Sequence, residues 1–253
     1  MSPPKLSAVP YENTVYRNIF TCSPSQHLLD DVAPEKDWGF IDRLTQATSG
    51  IDHSRPQHHR PFQYAEIYDE LVLAVFRREN WRQGRFSDGS SFGVWYGAED
   101  EMTSLLEACW TSFRFGKDNV LTKNETYTAD RRLFRAQAST DRACDLMDSK
   151  KDHPELIHPY DYSFCQELGA AMAKEKFHLL RTPSARRLDG VCVPVFDPKA
   201  IDDVVHDYFF KIHVNPDHSI NVSGGRPYVN FTTSAEELEN PYNLLGIMPN
   251  NSH

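Results

Sequence analysis

Between Gly84 and Glu107 the chain reads GRFSDGSSFGVWYGAEDEMTSLLE, a succession that few architectures accommodate. Ser87-Asp88-Gly89-Ser90 is turn chemistry, and Phe92 to Tyr96 alternates so that Phe92, Val94 and Tyr96 share one face of a strand. An acidic run then opens a helix expected from about Glu99 to Phe115, with Gly116 to close it. Turn, strand and helix follow one another with almost no linker. Arg85, Tyr96 and Glu107 recur along this frame at equal steps of eleven residues. A cation, an aromatic ring and a carboxylate suit the binding of a dinucleotide and the stabilisation of positive charge on its ribose.

The helix predicts its own orientation. Met102, Leu105, Leu106, Cys109, Trp110 and Phe113 form an apolar stripe, and at about 100° per residue Glu107 sits roughly 130° from its middle. It shares that shoulder with Thr103, Trp110 and Arg114. A carboxylate there can border a cleft, or pair with Arg114 on the surface.

Thr14 to Phe20 is expected as a first strand, with Arg17 in its middle needing a partner or a ligand. Residues 23–63 are rich in Pro, Ser, Asp and His and read as an insertion, with one short helix near Trp38 to Leu44. Ala65 to Arg78 places Ile67, Leu71, Ala74 and Val75 on one helical face. Leu133 to Ala138 reads as a strand, Asp161 as the cap of a helix to about Lys176, and Val191 to Phe196 as an apolar strand. His206 to Val214 and Ser219 to Ser223 flank Asn215-Pro216-Asp217-His218 as a hairpin. Strands with interleaved helices make the class α+β. We read residues 1–253 as one domain, with a core of about 14–200 and a C-terminal hairpin and tail of about 201–253.

The formal charge of −9 argues against general nucleic-acid affinity, so an anionic ligand needs a local cluster of arginines. No run of eighteen apolar residues exists and the N-terminus lacks a signal-peptide pattern, so neither a membrane span nor secretion is expected, and the location predicted is cytoplasmic. Cys22, Cys109, Cys144, Cys165 and Cys192 have no CxxC spacing and read as buried free thiols. His53, His58 and His59, with His153 and His158, admit a metal-dependent hydrolase as an alternative, but no HExxH arrangement supports it.

Four segments in order carry a further signal: the strand arginine Arg17, then GRF...YGAEDEMTSLLE, then RACDLMD, then YDYSFCQELG...FHLLRTPSARRLDGVCVPVF. Together they resemble the RES domain, named for an Arg, a Glu and a Ser, here Arg17, Glu107 and Ser184. The resemblance implies a fold like that of ADP-ribosyltransferases of the diphtheria-toxin type. It also implies a toxin of a toxin–antitoxin pair that consumes NAD as substrate with no further cofactor, and a helix-turn-helix (Xre-type) antitoxin as partner. The reaction would be NAD glycohydrolysis or phosphorolysis, or ADP-ribosyl transfer to a protein. Glu107 would stabilise the ribosyl cation, with Arg17 and Arg85 binding phosphate, Tyr96 stacking on nicotinamide, Tyr16 binding substrate and Ser184 positioning groups rather than attacking.

Overall fold

A computed structural model describes residues 4–20, 69–119, 124–224 and 230–242. The expected helix near Trp38 to Leu44, most of the insertion, Cys22 and the His53–His59 cluster lie outside these residues. The described chain is a mixed α+β structure built on one eight-stranded sheet. Its strands are β1 (Val9–Phe20), β2 (Trp95–Ala98), β3 (Tyr127–Asp145), β4 (Leu179–Pro183), β5 (Val191–Val195), β6 (Ile201–Val214), β7 (Ser219–Ser223) and β8 (Phe231–Ser234). The helices are α1 (Glu101–Asn119), α2 (Ser163–Lys174) and the short α3 (Ala235–Glu239).

The strand order is β1-β2-β5-β4-β3-β6-β7-β8, and β1 also pairs with β3. Five strands therefore close into a ring, and β6 to β8 continue outward from β3. β3 makes this possible by its length. β1 runs antiparallel along one edge of β3 from Val9↔Ala143 to Phe20↔Arg131, while the other edge takes β6 first and β4, in parallel, last.

The ring interior is filled by Val15, Trp95, Phe134, Leu179, Val193 and Val195, with Ala136, Ala138 and Ala143 where space is short. On the opposite face, Leu105, Cys109, Trp110 and Phe113 of α1 pack against Leu133, Tyr208, Phe210 and Ile212. Leu133 and Phe134 are adjacent yet both buried, because one faces α1 and the other the ring. Each such apolar side chain contributes about 1.5–3 kcal/mol on burial.

Three expectations are corrected. The strand predicted at Phe92 to Tyr96 begins only at Trp95, whose side chain is 1% exposed in the core while Tyr96 is 37% exposed. Its register is set by pairing with β5, Trp95↔Val195 through Ala98↔Cys192, not by local alternation. Second, α1 continues through Gly116, which lies against the Tyr127 ring. Third, the helix expected to Arg78 is reduced, within the described residues, to a π turn (Asp69–Leu73) and one α turn (Ala74–Phe76). Leu71 and Val72 there cap the ring interior, and the indole Nε1 of Trp95 donates to the Leu71 carbonyl at 3.0 Å.

α2 seats on the Gly84–Ser87 turn. Its Gln166 amide donates to the Gly84 carbonyl at 2.9 Å, and Gly169 passes so close that an added Cβ would stand 1.9 Å from the Phe86 oxygen. Gly169→Ala is therefore expected to destabilise by about 1–3 kcal/mol through forced separation of α2 from this turn. A urea midpoint equal to that of the wild type would refute the contact.

Candidate active site

The fold brings Glu107, Ser184 and Arg85 together from three separate parts of the chain. Asp100 starts α1 by accepting from the Thr103 amide at 3.0 Å, which suits the positive end of a helix. Glu107 follows one turn after Thr103 and points toward the end of β4 and the start of β5. The loop between those strands folds back on itself, with Ser184 N donating to the Gly190 carbonyl at 2.8 Å. Gly190 fits where a Cβ would meet Thr103 Oγ1 at 2.7 Å, so the loop lies directly on α1. Arg187 fastens it through Asp100 and through Thr103 Oγ1 at 3.1 Å.

Ser184 is fully buried. Its hydroxyl donates to Glu107 Oε1 at 2.6 Å and accepts from Arg186 N at 3.0 Å, so it is occupied by protein and orients the carboxylate. The Cys192 thiol donates to the same oxygen at 3.3 Å. Among the described residues the second oxygen, Oε2, has no hydrogen-bond partner. Arg114 does not pair with Glu107; its guanidinium lies 6.0 Å from the Tyr162 ring centroid instead.

Arg85 leaves the turn beneath α2, donates through Nη2 to the Pro183 carbonyl at 3.2 Å, and keeps a buried Nε without a partner among the described residues. Burial works against its charge, but Cys165, Cys192 and Glu107 around it outweigh that and hold its pKa above the ordinary guanidinium value. Both thiols are pushed up by burial and keep their protons near pH 7, which leaves Glu107 as the carboxylate neighbour of Arg85.

Tyr96 joins this group at its flank. Its hydroxyl accepts from Phe86 N at 3.0 Å, while part of its ring stays exposed. Burial around the hydroxyl, against the weaker opposing effects of Phe86 N and Arg85, pushes the phenol up and keeps it neutral. Arg17 stands farther out. It alternates with Val15 on the ring face of β1, its guanidinium is 5.1 Å from the Trp95 ring centroid, and the ionisable group it senses is Tyr96. No hydrogen bond or ion pair joins it to Glu107. Its Nε and Nη1 are buried and have no partner among the described residues, and burial lowers its pKa to about 10, so it remains charged at neutral pH. Tyr16 packs, partly buried, against the α1 cluster opposite Ala98 and does not enter the site.

The sequence did not single out three of the groups that complete this site. Cys192 was hidden in the apolar run VCVPV, though alternation about Val191 and Val193 directs it to the α1 face. Arg186, 2% exposed, lies 3.9 Å over Trp110 and donates to the carbonyls of Pro159 at 2.7 Å and Leu238 at 3.2 Å. Tyr242 donates to the Ser184 carbonyl and so ties the C-terminal part of the chain to the loop. A cavity of about 870 Å³ lined in part by Phe92, Arg142, Lys174, Phe177 and Phe196 opens beyond α2 and contains none of the candidate residues. The described histidines have other partners: His153 stacks on Phe164, and His158 Nδ1 accepts from the Tyr160 and Asp161 amides. Among the described residues no group of three metal-ligating side chains occurs.

No curated protein matches the chain. A crystal structure of the M. tuberculosis MbcT–MbcA toxin–antitoxin complex contains a chain with a remote likeness to it. The two share 14% identity, the TM-score is 0.43, and the likeness covers 83% of this chain and 88% of that one. The model of the RES domain matches residues 50–216, a span that includes Arg85, Tyr96, Glu107 and Ser184 and begins after Tyr16 and Arg17. That span is about two thirds of the sequence, and the chain belongs to the RES domain family.

Proposed function

We propose that the chain is an NAD-cleaving toxin that breaks the nicotinamide–ribose bond and is neutralised by an antitoxin of the helix-turn-helix (Xre) type. Membership of the RES family and the site around Glu107 support this reading. The observation that carries it is a carboxylate with one oxygen held by Ser184 and Cys192, the other without a partner among the described residues, and Arg85 in its neighbourhood.

Nicotinamide leaves a cationic pyridinium as a neutral molecule, so it takes the bonding electron pair without needing a proton. The demand falls on the ribosyl oxocarbenium ion left behind. Glu107 Oε2 can bind a ribose hydroxyl and oppose the charge growing at the ring, a contact stronger in the transition state than in the ground state. An acceptor oxygen then bonds to the anomeric carbon and gives up its proton to solvent. Arg85 and Arg17 supply fork-shaped donors for the diphosphate. Tyr96, partly exposed, can cover the nicotinamide ring. An ADP-ribosyltransferase-like fold in a single domain goes with this reading, and one sheet running from β1 to β8 supports it.

Nicotinamide release from NAD by the purified protein tests the proposal, and no release from protein freed of every partner would end it. Product analysis assigns the acceptor. Free ADP-ribose indicates water, its phosphorylated form indicates inorganic phosphate, and a heavier protein target indicates ADP-ribosyl transfer. Arg85→Met is expected to raise KM roughly 10- to 100-fold, the loss of one charged hydrogen-bonding fork, and Arg17→Met to raise it less. An unchanged KM in Arg85→Met would remove that residue from substrate binding.

A further inference from the structure

Glu107 is held from two directions, and only one of them belongs to the Arg-Glu-Ser set that names the family. Ser184 reaches Oε1 from the loop after β4, and Cys192 reaches the same atom from β5. β5 has neighbours on both edges, with Cys192 opposite Ala98 of β2 and Thr182 of β4, so the thiol sits on a fixed frame. The final torsion of a glutamate is broad and roughly two-fold, and a single donor leaves the carboxylate plane free to turn. Two donors on one oxygen, from separate elements, hold it.

We propose that Cys192 is a positioning residue for Glu107, its thiol acting with the Ser184 hydroxyl on Oε1 so that Oε2 alone is presented to the substrate. The thiol is suited to this as a donor. Burial first, and Glu107 next, push its pKa well above the ordinary thiol value, so it keeps its proton and cannot compete as an anion with the carboxylate. Buried against α1, it is also poorly placed to act as a nucleophile. Arg85 lies near both groups and can bind the substrate without displacing either donor.

The inference rests on the proposed role of Glu107 for its kinetic consequence, but the contact itself can be read without turnover. Cys192→Ala is expected to lower kcat for nicotinamide release about 3- to 10-fold with KM within about two-fold, the scale of one weak hydrogen bond. Cys192→Ser, which restores a donor, should recover most of the loss, and both variants should melt near the wild type. In the infrared, the S–H stretch isolated as the difference between wild type and Cys192→Ala should be shifted down by hydrogen bonding and should move up in Glu107→Ala. A wild-type kcat in Cys192→Ala, a serine variant no better than the alanine one, or a thiol band indifferent to Glu107→Ala would each overturn it. If the wild type releases no nicotinamide, the proposed function falls, and the thiol band alone decides the contact. Loss of activity in Glu107→Gln alongside an unaffected Cys192→Ala would retire Cys192 and leave Glu107 in place.

Discussion

Glu107→Gln is expected to lower the rate of nicotinamide release by about 10²- to 10³-fold, the scale seen when one preorganised electrostatic group is removed from a transition state. The substitution is nearly isosteric. Ser184 and Cys192 can still donate to the amide oxygen in the position of Oε1, so the loop after β4 keeps its anchor and the fold is retained. What disappears is the negative charge facing the ribose as it becomes cationic. Because that interaction grows on the way to the transition state, kcat should fall while KM changes little. A melting temperature near the wild-type value, measured on the same sample, separates chemistry from folding. Activity within a few-fold of wild type would remove Glu107 from the reaction. A metal-dependent hydrolase built on the histidines at 53–59 makes the opposite pattern: sensitivity to a chelator and indifference to Glu107→Gln.

The range of the forces involved explains why the neighbourhood of Glu107 is legible in the sequence while the surroundings of Arg17 are not. The placement of Glu107 depends on helical periodicity, which is local, and α1 begins within two residues of the expected position. It is the Arg-Glu-Ser resemblance that ties Ser184 to Glu107, but its place after a proline at a strand end is a local turn signal. The hairpin β6–β7 and the strand β5 were visible for the same reason. Arg17 depends on which strands its own strand joins, and β1 pairs with both β2 and β3 to close the ring, a result of long-range register that alternation does not encode. Closure puts the face bearing Arg17 inside, across Trp95, and leaves its approach to the site through Tyr96 rather than Glu107. Cys192 shows the complementary difficulty. A thiol between valines in a buried strand has the signature of core packing, and only the arrival of α1 on that face gives it a polar partner.

The adjacent residues Trp95 and Tyr96 offer the other large test, because ring closure gives them opposite roles. Trp95→Ala is expected to cost about 3–5 kcal/mol of stability, the range for truncating a large buried aromatic. The indole is 1% exposed, and its loss opens a cavity among Val15, Phe134, Val193 and Val195. It also leaves the Leu71 carbonyl without its donor and removes the ring over which the Arg17 guanidinium lies. Tyr96→Phe, one residue on, gives up only the acceptor for Phe86 N at the partly exposed side and should cost about 1 kcal/mol. Urea unfolding separates the two by midpoint at a common slope, since neither change alters the surface exposed on unfolding by much. Equal small losses would mean that Trp95 is not the keystone of the ring. A large loss for Trp95→Ala alone would mean that the strand faces assigned by pairing to β5 are the ones the protein adopts.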